Sequence, residues 1–61
     1  MGMTDTPFFT VAEIAQILRL NAITIYEYIR TGRLSALRFG RYYRVAKSDF
    51  ASFLKNQRVK P

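Results

Sequence analysis

The spacing of the apolar residues between Phe9 and Leu54 changes twice along the chain. Apolar residues recur every three or four positions up to residue 30, alternate with polar ones over 37–45, and return to helical spacing from Phe50. This order predicts two short helices, a hairpin and a closing helix. A chain of 61 residues has room for one such domain with a small core. We place that domain at 8–56, between a flexible N-terminal arm at 1–7 and a basic flexible tail at 57–61.

The first helix has a clear start signal. Thr10 is a suitable N-cap, and Glu13 three positions later completes a capping box, in which each side chain accepts a hydrogen bond from the other residue's backbone N–H. Phe9 and Ile14 hold the two positions of a hydrophobic staple. The helix should bury one face, formed by Val11, Ile14, Ala15 and Leu18.

A second helix is predicted from about residue 22 to residue 30. Asn21 is its N-cap, and Gly32 provides the left-handed backbone that ends it. The link through residues 19–21 is too short for two antiparallel helices to share one core, so the helices should cross steeply, as in a helix-turn-helix. Ala22, Ile25 and Ile29 should face the core, leaving Ile23, Thr24, Tyr26, Glu27 and Arg30 on the other flanks.

The alternation after Gly32 predicts a β-hairpin that turns at Gly40 and Arg41. Its apolar face is expected to hold Leu37, Phe39, Tyr43 and Val45, and its basic, aromatic face Arg38, Tyr42 and Arg44. A closing helix, marked by Phe50, Phe53 and Leu54, should cover the hairpin and the first helix.

Composition restricts the chemistry open to this chain. Ten Lys and Arg against four Asp and Glu give a net charge of +6 and a pI of about 10.4, which suits a polyanionic partner or an acidic membrane surface. The absence of cysteine and histidine removes disulfides, the usual metal ligands and the usual general base. We therefore expect no enzyme activity, no metal and no cofactor. No membrane span or signal peptide is evident, so a cytoplasmic location is expected.

Five motifs in order resemble one family. They are Thr-Val-x-Glu-Ile-Ala-x-x-Leu at 10–18, Thr-Ile-Tyr at 24–26, Gly-Arg-Leu at 32–34, Arg-Phe-Gly-Arg-x-x-Arg-Val at 38–45 and Ser-Asp-Phe at 48–50. Together they resemble the excisionase-type, MerR-like winged helix-turn-helix DNA-binding domains over residues 9–54. The resemblance implies a mainly α fold with three short helices and a two-stranded wing. It also places the helix at about 22–30 in the major groove and the wing at about 34–45 on the minor groove or the backbone.

Members of that family include excisionases, which bend attachment-site DNA and direct an integrase, and small transcriptional regulators. The chain departs from the family pattern at the turn, where Arg19 replaces a common Gly and Asn21 a common Ser. Asn caps a helix as well as Ser, but Arg19 would cost up to ~1 kcal/mol in a left-handed backbone. Ala22 and Ile23 replace polar or basic residues, so base readout should be less polar than in the family.

The candidate DNA-binding residues lie on the second helix, the wing and the start of the last helix: Asn21, Ile23, Thr24, Tyr26, Glu27, Arg30, Arg38, Arg41, Tyr42, Arg44 and Lys47. Phosphate contacts from Arg30, Arg41, Arg44 and Lys47 would supply most of the affinity, while the helix and Arg38 or Arg41 supply selection.

Several of these residues have structural alternatives. Thr24 could bond its own cap, and Tyr26 could pack half-buried. Glu27 either accepts from a cytosine amino group, pairs with Arg30, or faces away from DNA. The wing arginines could instead protect an exposed edge strand.

Two other kinds of binding remain open from the sequence. One is a protein-interaction module that uses Phe8, Ile23, Tyr26 and Tyr28 as an apolar patch, with binding that survives high salt. The other is single-stranded RNA binding through the tyrosines. For DNA binding, we expect a monomer in solution whose further partners are neighbouring copies of itself on DNA or an integrase.

Overall fold

A computed structural model describes residues 7–58. Within this range the chain forms, in order, β1 (Phe8–Thr10), α1 (Val11–Leu18), α2 (Ala22–Arg30), β2 (Leu37–Phe39), β3 (Tyr42–Ala46) and α3 (Lys47–Asn56). The predicted fold, a mainly α winged helix-turn-helix with three short helices and a β-hairpin wing, is confirmed. The flexible arm and the basic tail fall, apart from Pro7, Gln57 and Arg58, outside the described residues, and the domain bounds stay a prediction.

Both helix starts follow the capping signals in the sequence. Thr10 N–H donates to Glu13 Oε1 at 2.8 Å, and Glu13 N–H donates to Thr10 Oγ1 at 3.1 Å, which completes the capping box. Asn21 Oδ1 accepts from the backbone N–H of Ile23 at 2.9 Å. Each cap satisfies N–H groups that have no partner inside the helix, and so fixes where α1 and α2 begin.

The turn between α1 and α2 requires a left-handed residue, and Arg19 occupies that position with φ 57° and ψ 43°. Its N–H donates to the carbonyls of Ala15 and Gln16, while Leu20 N–H donates to Ala15 O at 2.9 Å. These bonds close the end of α1 and direct the chain into α2 within three residues, 19–21. The family's glycine at this position therefore has a direct conformational reason.

Arg19→Gly is expected to raise the free energy of unfolding by about 0.5–1 kcal/mol, because glycine adopts the left-handed backbone without steric cost. Chemical denaturation measures the change. Gly32→Ala is the converse control, since Gly32 has φ 83° and alanine there should lower stability. An Arg19→Gly variant less stable than the parent would contradict the steric account.

The sheet contains a strand that the sequence did not predict. β1 pairs with β3 antiparallel, with Phe9 opposite Val45, and β2 pairs with the other side of β3, so the strand order is β1-β3-β2. Its sequence, Phe-Phe-Thr, does not alternate between apolar and polar residues. The two-stranded wing is thus one part of a three-stranded sheet, and β1 links it directly to the start of α1.

The register of the hairpin corrects the predicted assignment of its faces. Leu37 lies opposite Arg44, Arg38 opposite Tyr43 and Phe39 opposite Tyr42. Residues directly opposite each other share a face of the sheet, so the two-residue turn at 40–41 places the odd-numbered residues of β2 with the even-numbered residues of β3.

The predicted apolar face is therefore wrong for β2. Leu37 and Phe39, which are 45% and 55% exposed, lie on the outer face with Tyr42 and Arg44. Arg38, predicted on the face of Tyr42 and Arg44, lies instead on the inner face with Tyr43 and Val45. Below, the inner face is the side of the sheet that carries the buried Val45, and the outer face is the opposite side.

The core lies between the inner face of the sheet and the three helices. Its buried members are Val11, Ile14, Ala15, Ile25, Leu34, Val45, Phe50 and Phe53. Leu34, which the sequence analysis did not place in the core, is only 1% exposed, whereas Leu54, predicted to pack, is 40% exposed. None of the helices in residues 7–58 has the length and apolar character needed to cross a membrane.

Candidate nucleic-acid interface

The side of α2 that faces away from the core forms an exposed ridge of Ile23, Glu27 and Arg30. Ile25 is fully buried, so the residues on the opposite side of the helix face solvent. The three ridge residues are four and three positions apart, which places them in one row along α2. Ile23, near the N-terminus of the helix, is 69% exposed. The ridge thus offers an apolar side chain followed by two charged ones.

Glu27 and Arg30 form an ion pair on this ridge. Arg30 Nη2 donates to Glu27 Oε1, and both side chains are largely exposed. The hydrogen bond and the negative charge of Glu27 raise the pKa of Arg30 above its ordinary value. Among the three alternatives for Glu27, pairing with Arg30 is the one that the structure shows. The pair offsets the repulsion that an isolated carboxylate would feel near phosphates.

The wing contacts α2 through aromatic rings. The ring centroids of Tyr26 and Tyr43 lie 5.9 Å apart with a tilt of 60°, so Tyr26 is partly covered by the wing. The guanidinium of Arg38 lies 5.9 Å from the centroid of the Tyr43 ring. Arg38 Nε also donates to the carbonyl of Gly40 at 2.9 Å. These contacts form a stack, Tyr26–Tyr43–Arg38, that runs from α2 to the hairpin turn.

The remaining wing candidates lie elsewhere on the hairpin. Arg44 places its guanidinium 5.8 Å from the Tyr42 ring centroid and donates from Nη1 to the carbonyl of Tyr43 at 2.9 Å. Tyr42 and Arg44 belong to the outer face, and Arg41 is exposed at the turn. The structure therefore places Arg38 against Tyr43, the wing residue that contacts α2, and on the opposite face of the hairpin from Tyr42 and Arg44.

Three other candidates are already engaged in the fold. Asn21 Oδ1 serves as the α2 cap. Thr24 is partly buried on the flank of the helix, where its backbone N–H donates to Asn21 O at 2.9 Å and its hydroxyl is not part of the cap. Lys47 begins α3, where its N–H donates to Pro7 O and its ammonium lies 5.6 Å from the Phe9 ring centroid. Because Lys47 follows the end of β3 remote from the turn, it is separated from the wing tip.

Comparison with known proteins identifies the family. A family model described as a helix-turn-helix domain, of the excisionase type, matches residues 8–58. The chain belongs to this helix-turn-helix family. The match covers β1, both helices of the motif, the wing and α3.

Two kinds of curated relative resemble this helix-turn-helix domain. The uncharacterised protein YvgK of Bacillus subtilis is 35% identical over 57 residues, which is 93% of this chain and 18% of the relative. A Mycobacterium tuberculosis protein named "Putative DNA-binding protein" is 42% identical over 40 residues, which is 66% of this chain and 51% of the relative. The chain thus spans about half of one relative and less than a fifth of the other. No solved structure is significantly similar to it.

The apolar patch considered from the sequence does not form a single surface. Phe8 lies on the outer face against Phe39, with ring centroids 6.4 Å apart. Tyr28 packs on the core residue Phe53 with centroids 5.3 Å apart. Ile23 is on the ridge of α2, away from both contacts. The helix-turn-helix domain instead exposes Leu37, Phe39 and Tyr42 on the outer face, beside the partly buried Phe8, and these four residues are called the outer-face patch.

Sequence reasoning missed Tyr43 as a link between the wing and α2. It was assigned to the apolar face only as a core residue, and the contact with Tyr26 depends on the distance between two elements that no local pattern specifies. The two-residue turn at Gly40 and Arg41 was the available signal, because it determines the hairpin register. Among residues 7–58 there is no cluster of three or more His, Cys, Asp or Glu side chains that could hold a metal ion.

Proposed function

We propose that this protein binds double-stranded DNA with a sequence preference, as an excisionase or a small transcriptional regulator does. The observation that carries the proposal is the contact of Tyr26 with Tyr43, which joins α2, the helix with the exposed ridge, to a wing that bears Arg38, Arg41 and Arg44. A helix that presents an exposed row beside a basic hairpin can enter the major groove while the wing follows the adjacent minor groove or backbone. The net charge of +6 supports a polyanionic partner.

Affinity and selection would come from different residues. Arg30 on α2 and Arg41 at the wing tip are the main proposed phosphate ligands. Arg44 and Lys47 would add positive charge at the periphery of the interface. Ile23 can contact a thymine methyl group, and Thr24 beside it can bond a base or a phosphate. The protein would act by binding, without catalysis of its own, in the cytoplasm on chromosomal DNA.

Selection of bound sequences from a random duplex pool is the direct test. A sequence-preferring protein should enrich one motif whose length corresponds to a major-groove contact flanked by a minor-groove contact. Recovery of an unenriched pool at a salt concentration where the protein binds would contradict the sequence preference. Failure to retain any duplex would contradict DNA binding itself.

Arg41→Ala and Thr24→Ala should separate the roles of wing and helix. Arg41 is exposed at the turn, so its loss should change the free energy of unfolding by no more than about 0.5 kcal/mol. If Arg41 contacts a phosphate, affinity should fall similarly on all duplexes and the salt slope should decrease by about one. If it enters a narrow minor groove, the loss should be larger on A·T-rich flanks. Thr24→Ala should instead reduce the preference for the selected site by about 1 kcal/mol, roughly fivefold.

Both variants should be measured on the selected and a scrambled duplex at two salt concentrations. An Arg41 variant that binds like the parent under all four conditions would remove the wing tip from the mechanism. Unchanged selectivity in the Thr24 variant would mean that α2 does not read DNA at its N-terminal turn.

A protein partner is the second candidate, and the outer-face patch favours it. Phe39 and Tyr42 expose more than half of their surface on the side of the sheet opposite Val45 and the core. We propose that the protein is a monomer in solution and contacts a neighbouring copy on DNA, or an integrase, through this patch. Such a patch is small compared with the ~800 Å² per partner of a stable interface, so the contact would be weak without DNA to hold both molecules.

Phe39→Ser should therefore lower the cooperativity of binding to two adjacent sites by about tenfold. The reason is that the contact between the two copies would lose about 1.4 kcal/mol of apolar burial. Binding to a single site should stay unchanged. Ile17→Ser is the matched control, because Ile17 is equally exposed but lies on α1 outside the patch. Equal loss of cooperativity in both variants, or a tight dimer of the parent in ultracentrifugation without DNA, would contradict the proposal.

A further inference from the structure

We infer that Tyr43 is a positioning residue that holds Arg38 beside α2 as a clamp for one DNA phosphate, and that this clamp sets the register of α2 in the groove. The inference rests on the proposed DNA-binding function. It assigns a specific role to a residue that the sequence analysis placed only in the apolar face of the hairpin.

Arg38 is restrained from two directions. Its Nε donates to the carbonyl of Gly40 at 2.9 Å, which folds the side chain back towards the turn. Its guanidinium carbon lies 5.9 Å from the centroid of the Tyr43 ring, within the range of a cation–π contact. An exposed arginine normally samples many rotamers, and holding it in advance lowers the conformational entropy that binding would otherwise remove.

This restrained geometry suits a phosphate better than a base. The bond from Nε to Gly40 leaves the two terminal amino groups of Arg38 as donors for a ligand. A planar guanidinium with paired donors matches phosphate oxygens, whereas a side chain folded along the hairpin lacks the reach of an extended arginine in a groove. The proposed ligand of Arg38 is thus one backbone phosphate next to the groove that α2 occupies.

Tyr43 transmits this position to the recognition helix. The same ring that lies against Arg38 is 5.9 Å from the ring of Tyr26 on α2, so Tyr43 contacts both the clamp and the helix. Phosphate contacts carry no sequence information, but they orient the element that reads the bases. Loosening the clamp should therefore weaken the selectivity of α2 as well as the total affinity.

The test uses the duplex obtained from the selection, with single phosphates replaced one at a time by uncharged methylphosphonates. In the parent, one replacement near the α2 groove should weaken binding about tenfold through Arg38. Arg38→Ala and Tyr43→Leu should each lose the sensitivity at that position while remaining sensitive elsewhere. Tyr43→Phe, which keeps the ring, should behave like the parent.

Combined variants show whether the two residues act together. If Tyr43 works through Arg38, the double variant Arg38→Ala/Tyr43→Leu should bind no more weakly than Arg38→Ala alone, and both should lose selectivity against a scrambled duplex. Fully additive losses, or a Tyr43→Leu variant that keeps the parent's phosphate profile, would overturn the inference while leaving DNA binding intact. Parent protein that binds no duplex would instead overturn the proposed function.

Folding of the variants needs a separate measurement, because Tyr43 packs against the core. If Tyr43→Leu does not fold, Arg38→Lys tests the same contact at an exposed position, since lysine keeps the charge but loses the planar stacking and the paired donors. Arg38→Lys should reproduce the loss of the methylphosphonate effect. Retention of the full parental effect in this variant would overturn the clamp.

Discussion

Raising the salt concentration from 50 mM to 200 mM should weaken duplex binding by about 250- to 1000-fold, the consequence of a log–log slope of about −4 to −5. Four to six neutralised phosphates would produce this slope by releasing counterions. The proposed ligands are Arg30, Arg38 and Arg41, with Arg44 and Lys47 adding charge at the periphery. Binding isotherms for the selected duplex at four or more salt concentrations measure it directly.

The same titration separates DNA binding from the rival protein-interaction function. Contact through the apolar outer-face patch should vary little with salt, because burial of apolar surface does not release counterions. A scrambled duplex is the control for non-specific binding and should show a slope of similar size, since phosphate contacts do not depend on sequence. A slope near zero on the selected duplex would reject the electrostatic mode of binding.

Local signals explain why the helices were predictable from the sequence. The capping box of Thr10 and Glu13 and the cap at Asn21 act over two or three residues, and both occur in the structure as predicted. These features depend on hydrogen bonds within a few positions, which the sequence states directly.

The wing was less predictable because its faces depend on pairing between strands. Alternation alone assigned Leu37 and Phe39 to the buried side, but a one-residue difference in register moves every side chain of a strand to the other face. β1 was missed for a related reason, since its three residues gain strand geometry only by pairing with β3. Pairing between strands that are distant in the sequence therefore determines the faces of the wing and the formation of β1, which local sequence patterns do not specify.

In the candidate site, too, contacts between neighbouring residues were predictable from the sequence, whereas contacts between distant elements were not. The ion pair of Glu27 and Arg30 joins residues three positions apart on one helix, so the sequence offered it as one of three alternatives. The stack of Tyr26, Tyr43 and Arg38 joins α2 to the wing across the fold. The two-residue turn signals only the pairing of Arg38 with Tyr43, and no local pattern indicates the contact of Tyr43 with α2. Contacts that join α2 to the wing are thus harder to predict from the sequence than contacts within one helix.

The second large effect is expected in the core. Leu34→Ala should lower the free energy of unfolding by about 2–5 kcal/mol, since deleting a buried leucine side chain removes its burial and leaves a cavity. A single core of this size supplies only about 3–5 kcal/mol in total, so much of the variant should be unfolded at 37 °C. Circular dichroism during thermal and urea denaturation measures the loss.

Leu54→Ala makes the same chemical change at a position that the sequence assigned to the core and the structure leaves 40% exposed, whereas Leu34 is 1% exposed. It should cost at most ~1 kcal/mol, because alanine favours a helix and less burial is lost. Comparing Leu34→Ala with Leu54→Ala therefore tests the core residue found in the structure against the core residue predicted from the sequence. A larger loss of stability in Leu54→Ala would mean that α3 packs as its apolar spacing predicted. It would also mean that Leu34 does not anchor the segment between α2 and the wing in the core.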